Sequence, residues 1–403
     1  HTADSPSKKI NSAAPYDLSR SEWADSGNDY YFSLLTTPEK KLYLNLKKHA
    51  DLYLTGTDSF QTANVKRNNK NTSVYVLPIV SYSGLTIQQM KKVFYCFMFE
   101  NPQYYFMRNS VIYSEITKAM TIGLYEIFAD GSVRAEYTQK LAQQLNVWEQ
   151  QINELETPVE KERFIHSLVC QHVDYNEDME TEDPDDYQMS QSCISAILFD
   201  QTTVCAGYAQ MFSLLCNRSG IPCVTLTSAG HAWNKVRMGY TWYNVDCTWD
   251  DLRGDETFLN VTDALLLSKD SEKKEHEPSS EWISIAPPCT AAFDPALANA
   301  PDYGENIFTP DQMSNITVQS KAKNKLLIQF EPMEDCDGYT VQYAANNTMQ
   351  PSKQKNMEKT SCMITGLKKG KTYYIRVRAY TLDSNNKKLF GTYSKKIKAT
   401  VKL

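Results

Sequence analysis

No stretch of this sequence approaches the roughly 18 consecutive apolar residues that a membrane-spanning helix requires, so no transmembrane segment is expected. It also has no long basic run. The 42 Lys and Arg residues are interspersed with 48 Asp and Glu, for a formal charge of -6, which supplies no electrostatic footprint for nucleic acid. The ten cysteines include no CxxC pair and no Cys/His cluster at zinc-ligand spacing along the chain, so neither a structural metal nor any cofactor is expected. Most of these cysteines are expected to be small buried hydrophobes or disulfide halves. What is present is material for cores: 41% hydrophobic residues and 11% aromatics over 403 positions, enough for two or three folded domains.

The first 35 residues are polar and are expected to form a flexible segment. The chain opens on His1 and a polar stretch instead of Met, as after removal of a signal peptide, so an exported, extracellular or cell-surface protein is expected. The run TTPEKKLYLNLKKHADLYLTG has helical period, with Thr37 as candidate N-cap before Pro38. VYVLPIV (74–80) and the runs VIYSEI and TIGLYEIF alternate like strands. Leu85 to Phe99 and about Ala135 to Leu155 have helical period. Residues 36–157 therefore form an N-terminal α/β extension. A core region at 158–290 opens on the helix EKERFIHSLVCQHVDYN, followed by a carboxylate-dense loop at 177–187 that lacks the ordered positions of a calcium loop.

A linker at 291–315 follows, within a stretch dense in Pro and Ala. After it, KLLIQFE, GYTVQYA, SCMITGL and KTYYIRVRAYT are short alternating runs between turn residues, the pattern of an antiparallel sandwich. GLKKGKTYYIRVRAY (366–380), with Leu367 six residues before Tyr373, resembles the fibronectin type III domain. That resemblance covers 316–403.

The segment VCAGYAQMFSLLCNRSGIPC has helical spacing from Cys205 to Gly220, which sets Cys205 at a helix N-terminus where unpaired N–H groups favour a thiolate. Gly207 leaves the backbone open to an approaching substrate. Downstream, two alternating runs flank Met238-Gly239. A two-residue turn there sets Arg237 opposite Tyr240 and His231 opposite Asp246, close enough for the carboxylate to hold the imidazole. Trp233, Trp242 and Trp249 either line a groove or pack, with packing the commoner role of strand aromatics.

The words VCAGYA, GHAWN and NVDCTWDD, in the order Cys, His, Asp, resemble the transglutaminase-like superfamily, with its papain-like core. HSLVCQHVDYN and QSCISAILFDQTTVC match the family's wider pattern. The resemblance, of exported bacterial type, implies an α+β catalytic core at 158–290 with Cys205, His231 and Asp246 as catalytic triad. It implies acyl transfer or hydrolysis on peptide or protein amides through a thioester, with the Cys205 backbone N–H as first oxyanion donor and Gln191 as a weak side-chain candidate. A peptide or protein substrate is the expected partner, with the sandwich for attachment to a cell-surface or extracellular polymer. The competing reading is a silent binding or adhesion protein on the same fold, which a buried Cys205 without a cleft would favour. Protease, cross-linker and deamidase share this chemistry and differ in the acceptor.

Overall fold

The computed structural model describes residues 23, 26–67, 70–176, 189–199, 201–270, 274–300, 310, 312–333, 336–382 and 387–402. The acidic loop at 177–187 lies outside these. Along the chain run α1 (Tyr30–Ser33), α2 (Thr37–Thr55), β1 (Gln61–Arg67), β2 (Lys70–Val76), β3 (Val80–Ser81), α3 (Ile87–Glu100), β4 (Met107–Ser114), β5 (Ala119–Leu124), α4 (Gly131–Asn153) and α5 (Pro158–His172). The next group is β6 (Asp174–Tyr175), α6 (Cys193–Leu198), β7 (Thr202–Thr203), α7 (Cys205–Arg218), β8 (Cys223–Thr227), β9 (Ala232–Met238), β10 (Thr241–Val245), α8 (Cys247–Arg253), β11 (Leu259–Val261), α9 (Asp263–Lys269) and α10 (Pro295–Ala298). The last is β12 (Thr317–Ala322), β13 (Lys325–Gln329), β14 (Gly338–Ala344), β15 (Lys353–Met357), β16 (Ser361–Ile364), β17 (Thr372–Leu382), β18 (Lys388–Phe390) and β19 (Ile397–Thr400).

Local chemistry explains several boundaries. The α2 cap is Thr36 and not Thr37, because Glu39 Oε2 reaches back to accept the Thr36 N–H at 2.8 Å and its hydroxyl at 3.0 Å. The expected strand at 74–80 is interrupted: β2 ends at Val76 and β3 begins at Val80, with Pro78 between them unable to donate to a ladder. Its hairpin partner β1, QTANVKR, is mostly polar and carries no alternation that marks a strand. The expected start of the fold at 36 comes after α1, whose Tyr31 and Phe32 are buried. At α5, Thr157 and Glu160 form a capping box ahead of Pro158.

The described residues pack into two compact units. One draws on segments up to 28, 46–81 and 98–300. In it, β1, β2, β5 and β3 form an antiparallel sheet with β4 added on β5. Beside this sheet, Arg134 of α4 is fully buried and spends its guanidinium on backbone carbonyls: Nε donates to Tyr53 O at 2.7 Å, Nη1 to Phe128 O at 2.9 Å, and Nη2 to Asp58 O at 2.5 Å and Gly56 O at 3.3 Å. Its plane also lies 4.5 Å from the Phe60 ring centroid. The same unit holds the core region, where α7, buried from Gly207 to Asn217, packs on the antiparallel sheet β11-β10-β9-β8. Asn234 Nδ2 ties strand to helix by donating to Ala209 O at 3.0 Å and Thr225 Oγ1 at 3.1 Å.

The other unit comprises segments 29–45, 82–97 and 301–403. Its strands form two sheets, β12-β13-β16 and β15-β14-β17-β18 with β19 on β17. Leu326, Ile328, Val341, Ile375 and Val377 are fully buried between them. The Tyr373 hydroxyl accepts the Lys368 N–H at 3.1 Å, the corner that Leu367 and Tyr373 suggested. Residues 29–45 and 82–97 group with these strands: Thr37 Oγ1 donates to Cys336 O at 3.2 Å, and Lys40 Nζ lies 3.5 Å from Asp337 Oδ2.

Removing the Arg134 guanidinium strands several buried carbonyls at once. Arg134→Leu is expected to lower the unfolding free energy by about 3 kcal/mol or more in denaturant melts. Arg134→Lys should recover only part of this, because one ammonium cannot span the same set of acceptors.

Candidate active site

Three elements of the core region converge. Cys205 is the first residue of α7, after Val204 in extended conformation with no side-chain cap. The Gly207 N–H bonds Val204 O at 2.9 Å, which leaves the N–H groups of Cys205 and Ala206 at the helix start without an intrahelical acceptor. Cys205 and Ala206 are half-buried, the accessible end of an otherwise buried helix. Gly207 serves packing and not substrate approach: a Cβ there would sit 2.0 Å from Thr203 Oγ1 and 2.8 Å from Ser190 O. The Thr203 hydroxyl itself donates to Ser190 O, so β7 and the chain before α6 close directly over the helix start.

His231 immediately precedes β9, and Asp246 immediately follows β10. The hairpin register differs from the expected one by two residues, with Met238 opposite Thr241 and Val245 opposite Asn234. The turn is Gly239-Tyr240, with φ of +59° at Gly239 alone, as a type II′ turn needs glycine at its first position. Its Cβ would also strike Leu297 O at 2.3 Å. A two-residue slip preserves the sheet face, so His231 and Asp246 still meet, diagonally and not directly across. His231 Nε2 and Asp246 Oδ2 are 2.7 Å apart, and Cys205 is close enough to the His231 ring to help raise its pKa.

A further histidine completes the group. His276, fully buried, sets its Nε2 2.8 Å from the same Asp246 Oδ2. Its Nδ1 lies 3.2 Å from Asp270 Oδ2, which also accepts the His276 N–H at 2.6 Å. The ring is enclosed by Trp249, Trp233 and Phe258 at centroid distances of 4.7, 5.2 and 5.6 Å. Two of the three candidate groove tryptophans thus pack on histidine, and Trp242 is buried. Asp246 Oδ1 accepts the N–H groups of Thr248 at 2.9 Å and Trp249 at 3.2 Å, capping α8. His276 sits in the charged run KKEHEP, which has the composition of a solvated loop; no local pattern marks it.

Burial alone would lower the His231 pKa, but the charge and hydrogen bond of Asp246, with Cys205 beside it, raise it from 6.5 to about 10. Burial would raise that of Asp246, yet His231 and His276 hold it well below the usual carboxylate range. The pairing with Asp246 therefore favours the protonated ring. A narrow cleft lined by Gln191, Ser192, Gln210, Asn101 and Tyr105 reaches Ala206, the residue after Cys205, but Cys205 itself is not in its lining. Gln210 Oε1 is buried and has no hydrogen-bond partner among the described residues.

Residues 146–247 match the transglutaminase-like superfamily and residues 311–395 the fibronectin type III domain. The chain carries a transglutaminase-like core followed by a fibronectin type III domain. The kyphoscoliosis peptidase of Mus musculus is 30% identical over 218 residues, 46% of this chain and 32% of that protein. Its Homo sapiens counterpart is 29% identical over 159 residues, 34% of this chain and 23% of that one. The chain thus spans about a third or less of the length of these relatives. Among solved structures, the chicken CNTN1 FN1-FN3 domains align with 23% of this chain and 31% of that one, at 16% identity and a TM-score of 0.20.

The raised His231 pKa has a thermodynamic consequence in the transglutaminase-like core. Since the folded value of about 10 exceeds the unfolded 6.5, its stabilisation is complete below about pH 6.5 and is lost as pH climbs toward about 10. Asp246, His276 and Cys205 are the groups facing the ring, with Asp270 and Glu275 behind them. Urea melts across this window should show stability falling by up to about 1.4 kcal/mol per pH unit, with the fall absent in His231→Gln.

Proposed function

We propose that this protein is a cysteine hydrolase or acyltransferase on peptide or protein amides, with Cys205 as nucleophile, His231 as its acid and base, and Asp246 orienting the ring. The observation that carries this is a partly exposed cysteine at a helix N-terminus near an imidazole whose Nε2 is taken by Asp246 at 2.7 Å. Nε2 is engaged, so Nδ1 is the ring nitrogen available to the sulfur. The thiolate attacks an amide carbonyl, the tetrahedral oxyanion forms beside the first-turn N–H of α7, and the imidazolium delivers its proton to the departing amine. Water or an amine then attacks the thioester as His231 takes the incoming proton. A partly exposed Cys205, with a cleft reaching the next residue, favours the enzyme over a silent binding protein. The two cleft glutamines suit an amide substrate, with Gln210 Oε1 free to accept a substrate N–H. The matched family and the peptidase name of the relatives support the same class.

The reaction and its acceptor are tested together. Full-length protein incubated with a glutamine-containing peptide library, with and without a primary amine, is expected to give mass changes: backbone cleavage for a protease, side-chain hydrolysis for a deamidase, amine incorporation for a cross-linker. Cys205→Ala should abolish them. Turnover unchanged in Cys205→Ala, or none with any substrate despite a correctly folded protein, sinks the enzyme reading.

His276 is assigned here as a positioning residue that acts through Asp246. His276→Phe keeps the ring volume among the tryptophans but removes the donor to a buried carboxylate, a loss of about 1.5–3 kcal/mol in stability. Iodoacetamide labelling of Cys205, resolved by peptide mapping, is expected to slow at mildly acidic pH, with partial recovery in His276→Gln. Mapping matters because Cys170 should label too: hydrogen bonding to Cys247 and the adjacent His166 pull its thiol from 9.0 to about 6. A labelling rate at Cys205 unchanged by His276→Phe would confine His276 to packing.

A further inference from the structure

A second convergence of chemically reactive side chains lies on the other side of α8. His166 and Cys170 are four residues apart on α5, so they share one helical face. That face meets the first turns of α8, which carries Cys247 and Asp250. A ring nitrogen of His166, Cys170 Sγ and Cys247 Sγ all lie within 4.8 Å of one another. His166 Nε2 is 3.9 Å from Cys170 Sγ and 3.0 Å from Asp250 Oδ2. The Asp250 carboxylate is held in place through Oδ1, which accepts the Phe258 N–H at 2.8 Å. His166, Cys247 and Asp250 are buried, whereas Cys170 is partly exposed and gives the cluster an opening to solvent.

We propose that His166, Cys170 and Cys247, with Asp250 as fourth donor, form a zinc-binding site that pins α5 to α8. Two thiolates, one imidazole and one carboxylate make a closed four-coordinate set of the kind that structural zinc prefers. Zinc–sulfur bonds of about 2.3 Å in a tetrahedron put two sulfurs about 3.8 Å apart, so the His166, Cys170 and Cys247 donors need contract by only about an ångström from their present spacing, while Asp250, which among them now reaches His166 alone, swings in as the fourth. Binding is balanced by proton release: two thiols deprotonate, and His166 gives up its Nε2 proton to present a lone pair. No spacing along the chain signals the site, because its halves lie 77 residues apart. The group of His231, Asp246 and His276 also lies within 4.8 Å, but there both imidazoles are committed to a single carboxylate oxygen.

The test uses the full chain, reduced and stripped with a chelator, then titrated with zinc chloride, dialysed and assayed for bound metal by mass spectrometry, with cobalt(II) as a spectroscopic probe. One retained equivalent of zinc is expected. Cobalt should give a thiolate-to-metal charge-transfer band with the intense visible bands of a tetrahedral site, and zinc should raise the melting midpoint. Cys170→Ser and Cys247→Ser are each expected to weaken zinc binding at least about tenfold, while Cys205→Ala and His231→Ala keep the full equivalent. Cys170 is partly exposed, so Cys170→Ser decides the matter if Cys247→Ser misfolds. Three results overturn the site: no zinc above the buffer blank, undiminished zinc in Cys170→Ser, or zinc lost in Cys205→Ala or His231→Ala but kept in Cys170→Ser. The last would move the metal to the group around Asp246.

Discussion

The organisation of the core region turns on one buried carboxylate. Asp246 accepts four hydrogen bonds, two per oxygen: Oδ1 takes the first-turn N–H groups of α8, and Oδ2 takes His231 and His276. A charge removed from water is costly unless it is fully compensated. Here the compensation comes from a helix terminus and two imidazoles. The end of the β9–β10 hairpin, the start of α8 and the segment carrying His276 are therefore fixed by a single side chain. Its orientation in turn sets the His231 ring.

The contrast in burial across the site is chemically useful. His231 and Asp246 are shielded, which strengthens their interaction in a medium of low effective dielectric. Cys205 is partly exposed, as the first residue of a helix buried from Gly207 to Asn217. The tight closure of Thr203 and Ser190 over Gly207 fixes where that helix begins. Precision at the thiol comes from packing one turn away from it.

The two clusters share α8. Its N-cap is Asp246, and its next turn carries Cys247 and Asp250, which face His166 and Cys170 on α5. If zinc occupies that second cluster, it braces the helix whose cap orients His231. Metal content and the geometry of the proposed triad are then coupled through one short element and not through a long path across the molecule.

Local pattern alone determined much of this protein. The start of α7 at Cys205, the start of α5 at Pro158, the strands of the sandwich and the tyrosine corner follow from periods, caps and turn residues that act over a few positions. The pairing of His231 with Asp246 was legible even though the register was off by two, because the period of a strand encodes the face and both registers keep it. Tertiary structure alone decided the rest. His276 stands in a run whose composition suits water, yet it is fully buried, since what covers it comes from Trp233, Trp249 and Phe258 elsewhere in the chain. Gly207 looked like an opening and is a close contact, because its neighbours belong to other segments. His166, Cys170 and Cys247 show no ligand spacing, since helix α5 brings its pair to α8 only when both pack on α7. A sequence period specifies which way a side chain faces; what it meets there is set by elements whose distance along the chain carries no signal.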